Sequence, residues 1–270
     1  MKKILLWVLS FLITASFAVF QRMTGPTYPV KASHVAVPGA ELFSYRLPRS
    51  CTIGEYCGIW IKSATRLEGH VQWTRYNTGD VAQRLPLVYN NGWLFGYLPE
   101  QPPAGKLEYQ VFVKTAQGET ALAAKPLVTR FRGAVPGWIL IPHIILMFLF
   151  MLTAVRIFLT AAFGAPQIKH SVPATFVFLL LGGFVFGPLT QYYAFGQAWT
   201  GFPFGYDLTD NKTLLMLVAW LPAMCAVLRK KPARLWLNVA FAVTATVYLV
   251  PHSMFGSELD YKKGEVVTGK

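Results

Sequence analysis

"GWILIPHIILMFLFMLTAVRIFL" (residues 137–159) decides the fold class of this chain. It holds one basic residue, Arg156, and no acidic one, and its length suits a bilayer-spanning helix of about 17 to 25 residues. Four more runs have the same character: "ILLWVLSFLITASFAVF" (4–20), "PATFVFLLLGGFVFGPLTQYY" (173–193), "TLLMLVAWLPAMCAVL" (213–228) and "RLWLNVAFAVTATVYLV" (234–250). Composition agrees, since 54% of the 270 residues are hydrophobic and only 14% charged, against about 25% charged in soluble domains. The chain is read as an α-helical, polytopic membrane protein with about five transmembrane helices, the last two runs being short for the purpose.

The first run (1–21) is either a signal anchor or a cleaved signal peptide. Lys2 and Lys3 supply a basic start, and Ser16-Phe17-Ala18 offers a small-x-small cleavage site. Both readings export the segment that follows. Cytoplasmic loops are enriched in Lys and Arg. With the N-terminus inside, the inner segments carry Lys2, Lys3, Arg156, Lys169, Arg229, Lys230, Lys231 and Arg234 and no acid. The outer loop before the fourth span has Asp207, Asp210 and Lys212, and the C-terminal tail is neutral overall. The net charge of +13 is therefore a topological signature in large part and no sign of nucleic-acid binding. The expected location is the cell (inner) membrane of a bacterial-type cell, multi-pass, with a cytoplasmic N-terminus.

Residues 22–136 differ in kind. "CGIWIKS", "GHVQWTRY", "GWLFGYL", "KLEYQVFVKT" and "KPLVTRF" are β-rich pieces divided by "NTGD", "NNG", "QPPAGK" and "AQGE". Short strands spaced by Gly, Pro and Asn turns predict an all-β sandwich. "VQWTRYNTGD" followed by "LVYNNGWLFGYLPEQPPAGKLEYQVFV" resembles immunoglobulin-like or fibronectin-III-like modules over roughly residues 35–132. The resemblance implies a binding or spacer module, and a fold by itself does not fix a function. Cys51 and Cys57 bracket "TIGEY"; an exported compartment favours a disulfide staple between them over a metal pair. Cys225 lies inside the fourth span and is read as a small packing side chain.

The membrane half occupies residues 137–251, four helices, with an outer tail at 252–270. Gly182, Gly183 and Gly187 form a surface of small residues that admits a neighbouring helix. Thr209 or Asp210 is expected to cap the fourth span. The aromatic loop "TQYYAFGQAWTGFPFGYDLTDNKT" (190–213) is expected to fold against the outer helix ends. Asp207, Asp210 and Asn211 precede the fourth span, while His252, Ser257, Glu258 and Asp260 follow the fifth. A tight inner turn between those helices brings their outer ends together, with His143 about two turns down the second span. Carboxylates, imidazoles and an amide in one place suit a divalent metal, or a haem or quinone through His143 and His252. The competing reading makes the same residues caps and partners of basic groups in the β domain. His34, His70 and His170 are read as surface residues.

Two function classes follow. In the first, a non-catalytic membrane subunit or assembly factor displays the β module to a membrane or extracytoplasmic protein partner. In the second, a membrane enzyme or redox protein uses the rim cluster. The chain lacks HExxH, GxSxG, P-loop and CxxCH motifs, which leaves the first reading ahead. Transport is ranked last, for want of visible repeats or paired broken helices.

Overall fold

The computed structural model describes residues 2–35, 43–115, 118–163, 171–252, 254 and 256–268. Lys169 and His170 lie outside them. The chain divides into two compact units. One contains residues 1–26, 135–256 and 268–270, and the other residues 27–134 and 257–267.

The first unit is helical. Four of its helical segments are long and apolar enough to cross a membrane: Lys3–Thr24, Gly137–Ala162, Ser171–Phe195 and Leu208–Leu228. The fifth expected span, Arg234–Leu249, forms as an apolar helix but is shorter. We name the helices α1 (Lys2–Thr24), α2 (Gly137–Ala162), α3 (Ser171–Leu179), α4 (Gly187–Phe195), α5 (Leu208–Leu228) and α6 (Arg234–Leu249). α2 packs against α1, α3 and α6. α5 packs against α6 and α3, and the core the helices share includes Phe150, Met151, Leu179, Trp220, Leu237 and Ala240. In a bilayer, helix association depends on close packing and interhelical hydrogen bonds, because lipid tails are as apolar as Leu. Both occur here. The Trp220 ring meets Phe150 edge-on at 5.8 Å, and its Nε1 donates to Thr244 Oγ1 at 2.9 Å. Tyr248 donates to the Met147 carbonyl at 3.1 Å. Cys225 is exposed on α5 rather than packed inside.

Between α3 and α4 the third span becomes a π-helix over Leu180–Phe186, a feature the sequence reading did not anticipate. Pro188, just beyond it, has no N–H with which to continue an α-helical ladder. The glycines of this segment face neighbours as expected. A Cβ on Gly182 would lie 3.0 Å from Leu146 Cβ and Met147 Sδ on α2, and one on Gly183 would lie 2.6 Å from Thr213 Cγ2 on α5. The widened turn also offers a carbonyl: Gly182 O accepts from Gly187 N and lies 2.9 Å from His143 Nδ1.

The second unit is two sheets around one core. Its strands are β1 (Val30–Val35), β2 (Phe43–Leu47), β3 (Ser50–Thr52), β4 (Cys57–Lys62), β5 (Glu68–Arg75), β6 (Gln83–Pro86), β7 (Val88–Asn90), β8 (Trp93–Leu98), β9 (Lys106–Thr115), β10 (Gly118–Ala121) and β11 (Leu127–Arg132), followed by β12 (Glu258–Asp260) and β13 (Glu265–Val267). One sheet has the order β1-β2-β4-β8-β7, the other β3-β11-β9-β5-β6 with β10 beside β9. Period-two alternation builds the core. Ile59, Ile61, Leu94 and Leu98 point inward from the first sheet, while Val71, Leu107, Tyr109, Val111 and Val113 do so from the second. Tyr109 is buried, and its hydroxyl donates to the Pro48 carbonyl at 2.7 Å. Cys51 and Cys57 form the expected disulfide.

Register places both chain connections of this unit toward one end. β3 runs parallel to β11, with Thr52 opposite Arg132, and Val30 of β1 lies opposite Leu47 just before β3. The chain thus enters from the end at which it leaves. The hairpin β12–β13 completes that end, with Leu259 N donating to the Ala104 carbonyl at 3.0 Å.

Candidate functional site

The helical unit gathers part of the expected cluster at the start of α5. Asp207, not Thr209 or Asp210, is the N-cap: its Oδ1 accepts from Thr209 N at 2.8 Å and Asp210 N at 3.4 Å. That leaves the Asp210 carboxylate for the aromatic loop. Asp210 Oδ2 accepts from Thr200 N at 2.6 Å, Gly201 N at 3.1 Å and Thr200 Oγ1 at 3.2 Å. Asn211 Oδ1 takes Phe202 N at 2.7 Å. Gly201 is obligatory at this approach, since a Cβ there would fall 2.6 Å from Asp210 Cβ. Lys212 is buried and its Nζ donates to the carbonyls of Val250 and Pro251 at 3.1 and 3.3 Å. It satisfies carbonyls left open where α6 ends, so the start of α5 and the end of α6 meet there. The loop is anchored by these bonds, while Phe202, Phe204 and Tyr206 remain exposed.

The other members are placed differently. His143 is a half-buried side chain on α2, directed to the Gly182 carbonyl. A carbonyl only accepts, so Nδ1 carries the proton and Nε2 is the acceptor of the neutral ring. His252 is exposed, and its backbone carbonyl would lie 3.5 Å from a Cβ on Gly25. Glu258 and Asp260 belong to the β unit. Glu258 pairs with Lys106 at 2.6 Å and accepts from Asn77 at 3.3 Å. Asp260 Oδ1 accepts from Lys262 N and Lys263 N at 3.0 and 3.2 Å, closing the turn between β12 and β13. Burial pushes the Lys106 ammonium below the usual lysine range, and Glu258 opposes that shift. Among the described residues, no three His, Cys, Asp or Glu side chains are grouped to hold a metal ion.

Two features of the β unit escaped the sequence reading. The first is His70, which is buried rather than superficial. Its ring stacks on Phe112 at 5.1 Å, its Nδ1 is 3.0 Å from Arg84 Nη2, and Glu119 Oε1 is 3.7 Å away. Arg84 can only donate, so Nδ1 accepts and the ring is neutral. Burial, reinforced by Arg84 and opposed by Glu119, holds its pKa below the ordinary histidine value. The unfolded chain therefore binds a proton near pH 6.5 that the folded chain takes up only at lower pH, and stability falls as pH drops below that value. Melting followed by tryptophan fluorescence at pH 7.5 and 5.5 should show a larger acid-induced drop for wild type than for His70→Gln. Equal drops would remove His70 from the account.

The second is an exposed aromatic face on the sheet β1-β2-β4-β8-β7. Trp60 stacks on Phe95 with centroids 5.2 Å apart, and edge contacts link Trp60 to Trp93 and Tyr97. Tyr56 adds a ring 4.9 Å from Tyr97 and is 87% exposed. Isolated exposed apolar side chains are ordinary; these rings differ in packing on one another as a contiguous cluster.

No protein-family model matches the chain, and no curated protein is significantly similar to it.

Proposed function

We propose that this chain is a membrane-anchored, non-catalytic subunit or assembly protein that displays an immunoglobulin-type module to an extracytoplasmic protein partner. The observation that carries this reading is the interlocked aromatic face of the β unit, the kind of surface that supplies binding energy at protein interfaces. The sheet orders support the module type. β2-β4-β8-β7 and β3-β11-β9-β5-β6 follow the A-B-E-D and A′-G-F-C-C′ arrangement of immunoglobulin sandwiches. The disulfide and the basic residues at 229–231 and 234 favour an outer position for the β unit.

Rim chemistry is the second reading, favoured by one observation: His143 is oriented through Nδ1 with Nε2 as acceptor, the posture of a ligand to a haem, quinone or metal. Against it, the carboxylates of Asp207 and Asp210 are already engaged by backbone donors. Purification of the full chain in a mild detergent tests the choice. The subunit reading expects a stable complex with another protein and no stoichiometric chromophore. A solitary chain carrying haem or quinone, lost in His143→Gln, would reverse it.

A further inference from the structure

Register shows how the aromatic face is composed. Lys31 on β1 lies opposite Arg46 on β2, Arg46 opposite Trp60 on β4, Trp60 opposite Phe95 on β8, and Phe95 opposite Val88 on β7. One row thus crosses the whole sheet, from two cations through two stacked rings to an exposed valine. The neighbouring row runs Ser44, Lys62, Trp93, Asn90. The five strands of this sheet contain no Asp or Glu. Lys31, Arg46 and Lys62 are exposed, and among the described residues none of them pairs with a carboxylate.

The centre is also held in place. A Cβ on Gly58 would fall 2.3 Å from Trp60 Nε1, so the indole lies across the space that glycine leaves. Phe95 supports one side of that ring and Trp93 the edge. A ring fixed before binding loses little entropy on contact, and Trp, Tyr and Arg are the residues enriched at interface hot spots.

We infer that this face is the docking site for a partner protein that presents an apolar protrusion flanked by carboxylates. The rings receive the protrusion; Lys31, Arg46 and Lys62 complement the acidic flank and reject partners of their own charge. A second copy of this chain fits poorly, because the strands of this sheet carry cations and no acid, so pairing two such sheets adds like charge to like charge. The inference rests on the partner-binding reading above.

The test uses the full chain in its native membrane, with p-benzoylphenylalanine replacing Val88 at the margin of the face. Irradiation should give one discrete protein adduct whose cross-linked peptide contains or adjoins Asp or Glu. The yield should fall at least tenfold in Arg46→Glu/Lys62→Glu, and return when those partner acids are changed to Lys. The charge-reversed chain should keep its disulfide and its melting temperature. An adduct to lipid, an adduct to the chain itself, no adduct, or an adduct indifferent to charge reversal would overturn the inference. If the full chain still co-purifies with a partner in any of those cases, the subunit reading stands and only this face is excluded. If no partner is recovered either, both fall.

Discussion

Asp210→Ala should destabilise the helical unit by about 3 kcal/mol. Its carboxylate is buried and serves Thr200 N, Gly201 N and the Thr200 hydroxyl. Truncation strands those donors where water does not replace them, and an unmet buried donor costs about 1–3 kcal/mol, with bonds to a charged acceptor at the upper end. Against total stabilities of about 5–15 kcal/mol, that is a large fraction. In detergent, the apparent melting temperature should fall by about 10 °C, and proteolysis should begin within residues 196–206. Asp210→Asn keeps one acceptor oxygen and should recover part of the loss. An unchanged melting curve would mean that the loop is held by something other than this carboxylate. Asp207→Ala should cost less, about 1 kcal/mol, as removal of an N-cap does.

Gly183→Ala comes next, at about 2 kcal/mol. The added Cβ would fall 2.6 Å from Thr213 Cγ2, closer than two such atoms can sit, so α5 or the π-helical segment has to shift. Overpacking of this kind costs about 1–3 kcal/mol. The geometry also names its own suppressor. Thr213→Ser deletes the clashing methyl and keeps the hydroxyl that donates to the Thr209 carbonyl at 3.0 Å. The double mutant should regain most of the stability lost in Gly183→Ala, whereas additive losses would show that the two residues are not in this contact.

Much of this was legible in the sequence, for identifiable reasons. Apolar runs long enough to span report themselves through length, and the glycines at 182 and 183 are tight because the neighbouring helices leave room for no side chain. The disulfide followed from two close cysteines in a segment read as exported. Pro188 announces a local break in the third span, but a proline does not say which form the break takes; the widened π turn also involves packing against α2, which the sequence does not display. The cap was misassigned by a few residues: "DLTD" offers two acidic candidates, and only the fold shows that Asp207 caps while Asp210 holds the loop. Glu258 and Asp260 were grouped with the rim because they follow His252 in the chain. Leu259 between them is buried in the β unit and carries them with it. The aromatic face was invisible for a different reason. In "GWLFGYL" both parities are apolar or aromatic, so alternation does not say whether the leucines or the rings face inward. His70 is the same problem in one residue, since a lone histidine in a strand reads as polar until Phe112 is found stacked on it.

The central claim is that the β unit stands on the outside of the membrane, where its aromatic face is open to a partner. Accessibility of single cysteines in intact cells tests this most directly, in a Cys225→Ala background with the Cys51–Cys57 disulfide retained. A membrane-impermeant maleimide should label Val88→Cys in intact cells, and should label Lys230→Cys only after the membrane is permeabilised. Labelling of Lys230→Cys in intact cells, with Val88→Cys protected until permeabilisation, would contradict the account.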